Sequence, residues 1–404
     1  MKEVSTMIGA AKFKKLFALL MVLTLMLPAF ALGETAYAGT IKIGVYEPAS
    51  GDNGAGGKQE TLGVEYANFV APSVTLSDGE YKVELVHADN QSSTDKAPSA
   101  AQTLVSADVS VVLGSYGSSV SIAAADIFDQ AGLVAVGLSC TNPQVTLGNP
   151  LYYRVCYLDP FQGTVLASFA LEEYGAKKAY TLAMLGEDYG VGLVNYFTEA
   201  FKAAGGEVDG ETFPEGTSDF TAYLTTAFNN GAEVIFAPTS TPYAAQIITQ
   251  AASNGITIPI LAGDTWDNSV IVEAAKTTDV KVSVSTFFDE GDTSPKAVEF
   301  VTGFKAWLNA NPDKLVNNGG NDGIAGVTPL GYDGYMVALE AIKAADSADR
   351  DDIADVMAGI TYDGVTGAIV FDENGDAIRD QAFIKATENV AGTWTFVKVQ
   401  GIIK

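Results

Sequence analysis

From residue 40 onward, short apolar runs alternate with helix-patterned stretches, and no other feature of the chain restricts its fold so tightly. "TIKIGVYEP" and "YKVELVHAD" have the β-branched, largely apolar character of strands. Gly54 to Val70 and Pro98 to Ala107 have helical patterning. "VSVVLGS" and "LVAVGLS" follow. Between them Val120, Ala124, Ile127, Phe128 and Ala131 recur on one helical face. Parallel strands need crossovers and these helices supply them, so this half predicts a parallel sheet flanked by helices. "NPLYYRVCYLDPFQG" breaks the rhythm and leads into a helix near Phe161. Alternation then resumes, with strands at "KAYTLAMLGED", "GEVDGETFP", "AEVIFAPTS", "IPILAGD" and "VKVSVSTFFDE". Helices are expected from Val191, Phe220, Pro242 and Asn268, then over 295–308, 329–345 and 350–358. "YDGVTGAIVFDENGDA" reads as a strand pair with "ENGD" at its tip, followed by strands at "QAFIKATEN" and "TWTFVKVQ". A chain of 404 residues has room for two such units. The expected class is α/β, with two Rossmann-like lobes.

The first 38 residues stand outside this pattern. "KFKK" precedes an apolar run from Leu16 to Leu32, and "AYA" ends the segment at Ala38. A basic start, a short apolar middle and an A-x-A end predict a secretory signal peptide over 1–38, with "AFA" as a second cleavage candidate. No cysteine adjoins either site, so a lipid-anchored form is not expected. The segment carries four lysines against two glutamates, so the formal charge passes from −26 to −28 without it. Such acidity repels nucleic acid and anionic lipid. Export permits a disulfide, and Cys140 and Cys156 are its candidates.

Several chemistries are excluded. His87 is the one histidine, and no cysteine cluster exists, so common zinc sites are unavailable and no metal or cofactor is expected. No G-x-S-x-G elbow surrounds Ser118, which argues against a serine nucleophile. "GDNGAGGKQE" fails the phosphate-loop pattern at Asp52 and Gln59. Nothing in the sequence supports catalysis.

Binding loops remain. In an open parallel sheet, ligands sit at the carboxyl ends of the strands. Three loops fall there in the first half: Gly51 to Gly57, Ser115 to Ser119, and "SCTN" at Ser139 to Asn142. Ser118 or Ser119 occupies a helix N-cap position, where free N–H groups attract an anion and a hydroxyl adds a donor. With no Arg or Lys in either serine-bearing loop, a carboxylate fits better than a phosphate. The second half offers Tyr189 in "LGEDYG", Ser240 in "FAPTS", and Asp264 with Trp266 in "AGDTWDNS". An acid at a strand end can neutralise an ammonium, and the aromatics offer walls. Helix capping and core packing are the structural alternatives for these residues. A small zwitterion held between two closing lobes satisfies both sets of loops.

The segments "IKIGVYEPASGDNGAGGKQETLGVEYA", "VVLGSYGSSVS", "GLSCTNPQVT", "GEDYGVGL" and "GVTGAIVFDENGDA", in this order, resemble type I periplasmic binding proteins of the branched-chain amino-acid ABC transporter family. The likeness covers nearly all of residues 40–400. It implies a three-strand hinge and lobes of 39–158 plus 288–360 and of 159–287 plus 361–404. It implies that Ser118 binds a ligand carboxylate, that Ser139 and Thr141 touch both the carboxylate and the ammonium, that Tyr189 packs on the ligand, and that Asp264 binds its ammonium. Ser240 stands where relatives have an aromatic, and glycines replace a tyrosine in the first loop. Tyr116, Trp266, Tyr332 and Asp333 are candidates to refill the pocket, with Ser119 a neighbour of the carboxylate contact. The implied protein is a periplasmic, monomeric, non-enzymatic receptor that passes an amino acid to a membrane permease. The same fold could instead serve a short amide, a urea-like solute, an aromatic acid, or a sensor.

Overall fold

The computed structural model describes residues 37–276, 278–390 and 393–403. The expected signal peptide lies outside them, except for its last two residues. The strands are β1 (Gly39–Glu47), β2 (Ser73–Leu76), β3 (Gly79–Asp89), β4 (Val111–Leu113), β5 (Ala135–Gly137) and β6 (Tyr152–Arg154), then β7 (Lys178–Met184), β8 (Glu207–Phe213), β9 (Val234–Phe236), β10 (Ile260–Ala262) and β11 (Val282–Thr286), and finally β12 (Thr361–Gly364), β13 (Gly367–Val370), β14 (Gln381–Val390) and β15 (Thr393–Ile403). The helices are α1 (Gly54–Val70), α2 (Ala97–Ser106), α3 (Ser118–Gln130), α4 (Asp159–Glu173), α5 (Asp188–Ala203), α6 (Thr221–Asn229), α7 (Thr241–Ser253), α8 (Ser269–Ala275), α9 (Pro295–Ala310), α10 (Pro312–Asn317), α11 (Val327–Ala345) and α12 (Arg350–Met357).

Two sheets result. The first runs β2-β3-β1-β4-β5-β6, and the second β15-β14-β11-β10-β9-β7-β8. Every pairing from β3 to β6 in the first and from β8 to β11 in the second is parallel. β2, β14 and β15 add antiparallel edges. Helices cover the sheet faces, which explains why "VVL", "AVG", "VIF" and "ILA" are buried at every position. Helices α1 and α11 pack closely at Gly63, where a Cβ would lie 1.8 Å from the Thr328 carbonyl oxygen. Any larger residue there would force the pair apart.

The end of the chain departs from expectation. The β12–β13 hairpin turns at Val365 and Thr366, whose N–H groups both donate to the Asp333 carboxylate on α11 at 2.8 Å. "ENGD" is not its tip. That segment turns back on β6 instead, with Arg154 N–H donating to the Gly375 carbonyl and Ala377 N–H to that of Arg154. Arg154 and Asp376 form a buried ion pair there, 2.5 Å between Nε and Oδ1. The guanidinium also donates to the carbonyls of Cys140 and Asn142 and to Thr146 Oγ1. A buried charge is tolerable only with this degree of pairing.

The expected disulfide is absent. Cys140 and Cys156 are both buried free thiols. Cys140 packs in the cluster around Tyr46 and Phe128, whereas Cys156 belongs to the cluster around Val155 and Tyr157.

Candidate functional site

Loops at the carboxyl ends of the two parallel sheets meet through direct hydrogen bonds. From the first sheet comes the loop after β4, which starts α3 at Ser118 with Gly117 as N-cap. The Ser118 hydroxyl is therefore not a cap. It accepts the Asn142 N–H (3.2 Å) and keeps its own proton to donate. Ser119 Oγ accepts the Asp188 N–H (3.0 Å), and Asn142 Nδ2 donates to the Asp188 carbonyl (2.8 Å). These bonds link the first sheet's loops to the start of α5 beside the second. Tyr116 adds another, its hydroxyl donating to the Thr265 carbonyl (3.1 Å).

From the second sheet comes Asp264, in the short 3-10 turn after β10. Gln162 Nε2 (2.7 Å) and the Tyr189 hydroxyl (3.0 Å) both donate to its Oδ1. Gln162 also donates to Ser285 Oγ, so both of its amide protons are engaged. Glu187 fixes Tyr189 by capping α5, accepting the Tyr189 and Gly190 N–H groups. Burial pushes the Asp264 carboxyl up to about 6, against the opposing pull of those two donors.

Between these walls lies a concentration of buried polar groups. Ser240 Oγ and Gln162 Oε1 have no hydrogen-bond partner among the described residues. Ser139 faces the Glu60 carboxylate, Thr141 that of Asp159 and Tyr157 the Ser285 hydroxyl, near enough to act on one another but without full hydrogen-bond geometry. Native interiors leave few such groups, and a cluster of them marks a place built for a ligand. Burial raises Glu60 and Asp159 to about 8, and raises Glu47 well above the carboxylate range with help from the Glu60 charge.

The structure thus brings together Ser118, Ser119, Ser139, Thr141, Tyr116, Tyr189, Ser240 and Asp264. It moves three expected residues elsewhere. Trp266 is fully buried in the core of the second sheet, its indole N–H on the Thr239 carbonyl (2.8 Å). The turn after Asp264 directs the ring inward, so it is no pocket wall. Tyr332 packs against Tyr66 and Phe300 in an aromatic cluster. Asp333 supports the hairpin turn. His87 sits at an exposed position of β3, away from these groups. Sequence reasoning missed Glu47, Glu60, Asp159 and Gln162. Glu60 had a readable signal: with Val64 and Ala67 it falls on the buried face of α1, where an acid is out of place.

Two facing α/β sheets with ligand-type groups gathered at their carboxyl edges, and contacts linking the two sides, define a two-lobed solute-binding protein. Residues 40–391 match the family model described as periplasmic binding protein. A leucine-binding protein, LivK, of Thermotoga maritima shares 32% identity at a TM-score of 0.79, covering 90% of this chain and 99% of that one. LivJ of Streptococcus pneumoniae, solved with isoleucine, shares 27% at a TM-score of 0.76, covering 89% and 99%. A Leu/Ile/Val-binding protein homolog of Brucella abortus is 28% identical over 361 residues, 86% of this chain and 90% of that protein. The chain belongs to the type I periplasmic binding proteins of the branched-chain amino-acid transporter family, which are binding components and not enzymes.

Proposed function

We propose that this protein captures an amino acid in the periplasm and delivers it to the permease of an ABC transporter. The observation that carries this reading is the pairing of hydroxyl donors on one side with a carboxylate on the other. Ser118, Ser139 and Thr141, beside the start of α3, suit the α-carboxylate. Asp264 suits the α-ammonium: its Oδ1 is occupied by Gln162 and Tyr189, which leaves Oδ2 to the ligand. Tyr189 acts by holding Asp264, and Ser119 by closing the cleft onto α5. The signal peptide over 1–38 exports the chain, which works as a monomer. Among the described residues no helix is long and apolar enough to cross a membrane.

The lobes comprise 39–158 plus 288–360 and 159–287 plus 361–404, joined by three crossings, with one refinement. Because the hairpin bonds to Asp333 and the "ENGD" turn to β6, we assign the third crossing to residues 377–380, not 360.

A thermal-shift panel of the common amino acids tests the function. A ligand at 100 times its Kd stabilises by about 2.7 kcal/mol. No shift with any amino acid overturns the reading. Des-amino analogues that bind as tightly as their parents would favour a short amide, urea-like solute or aromatic acid instead.

A further inference from the structure

Gln162 is fully buried on α4, and its two acceptors fix which way its carboxamide faces. Nε2 lies 2.7 Å from Asp264 Oδ1 and 2.8 Å from Ser285 Oγ. An ionised carboxylate only accepts, so the amide nitrogen and not the oxygen faces Asp264. Glycine at 263 makes room for this arrangement. A Cβ there would lie 2.9 Å from Gln162 Nε2 and 2.0 Å from Tyr189 Oη, the other donor to the same carboxylate. With both N–H groups engaged, Oε1 is left buried and without a hydrogen-bond partner among the described residues. A buried carbonyl in that state is costly. Covalent geometry puts Oε1 about 2.2 Å from Nε2, so it lies no more than about 5 Å from Asp264 Oδ1. That is beside the carboxylate assigned to the ammonium, and one nitrogen at about 3 Å from each of two acceptors bridges up to about 6 Å between them.

We infer that Gln162 Oε1 is a second acceptor for the ligand's ammonium, beside Asp264 Oδ2, and that the site therefore selects a ligand nitrogen with at least two N–H donors. This rests on the amino-acid reading above. Gln162 then has two tasks: its amide nitrogen holds Asp264, and its oxygen tests the donors of the ligand. A primary ammonium, or one with a single N-methyl group, satisfies both acceptors. An N,N-dimethyl nitrogen has one N–H and leaves one acceptor buried and unpaired. A quaternary nitrogen leaves both unpaired.

The test uses the full-length protein and the amino acid that gives the largest shift in the thermal panel. A crystal structure of that complex should show the ligand nitrogen about 2.7–3.2 Å from Gln162 Oε1. By isothermal titration, the N,N-dimethyl form of the amino acid should bind at least about tenfold more weakly than the N-methyl form. Gln162→Met keeps the length of the side chain and removes the acceptor. The parent amino acid should bind this variant at least about tenfold more weakly than wild type, and the step between the two methylated forms should shrink. A residue that only positioned Asp264 would weaken the parent but leave that step unchanged. A ligand nitrogen on Asp264 but more than about 4 Å from Oε1, or a step equal in both proteins, overturns the inference and spares the function. The structure of the complex needs no variant, so it decides the outcome if Gln162→Met fails to fold. Absence of binding by every amino acid in the panel overturns the amino-acid reading and the inference with it.

Discussion

Asp264 concentrates two demands in one side chain. It must be charged to hold an ammonium, yet burial pushes its carboxyl up to about 6. The Gln162 and Tyr189 donors limit that rise by favouring the ionised form. Asp264→Asn keeps an oxygen for both donors and removes only the charge. Amino-acid affinity should fall by about 2–5 kcal/mol, as for other truncated buried charge pairs. Thermal stability of the ligand-free variant should not fall, because a costly buried charge has gone. Unchanged affinity by titration would refute the ammonium contact. The same group sets a pH limit. As pH drops from 7 to 5 the free carboxyl takes up a proton, so wild-type affinity should weaken through about pH 6, and the variant should lose that step.

Elements were more legible than the contacts between them. Apolar runs bounded by loops gave the strands of both parallel sheets, because burial on both faces imposes a continuous pattern. That pattern also located the serine, "SCTN" and Asp264 loops. It carried no information on side-chain direction after a strand ends, which is why Trp266 turned out to be core. Tyr332 and Asp333 lie on α11, and the partners of these two side chains, the aromatic cluster with Tyr66 and the hairpin turn at Val365, are distant in sequence. The "ENGD" turn failed for a similar reason: its best partner is Arg154, more than two hundred residues earlier. That knot has a measurable consequence. Arg154→Ala leaves Asp376 buried and unpaired, and should cost about 3–5 kcal/mol in chemical denaturation. Replacing both residues by apolar ones of similar volume should recover most of the loss. A single-mutant cost below about 1 kcal/mol would mean that the pair behaves like a surface bridge.

At the scale of the whole molecule, acidity works in two layers. The chain's formal charge is −26 in all, and its larger share is carried by surface carboxylates, which salt screens. The buried layer is the cleft and its surroundings, where Asp264, Glu187, Glu60 and Asp159 are raised to about 6, 7, 8 and 8, in each case chiefly by burial. A carboxyl whose folded value exceeds its unfolded one contributes stability that is complete below the unfolded value and is lost as pH rises through the folded one. These four therefore make the ligand-free protein lose stability from about pH 4 to pH 8. Groups of the opposite sign, such as Asp89, are held low by hydrogen bonds and lose their contribution only in more acid solution. The melting temperature of the ligand-free protein should peak near pH 5 and decline toward pH 8.5. High salt should remove the surface part of that decline and leave the buried part. Glu60→Gln should flatten its upper end, since an amide cannot ionise in the cleft. A melting temperature that is level, or that rises, between pH 5 and 8 at high salt would show that these carboxyls are compensated in solution, and would remove the electrostatic cost that the cleft is argued to carry.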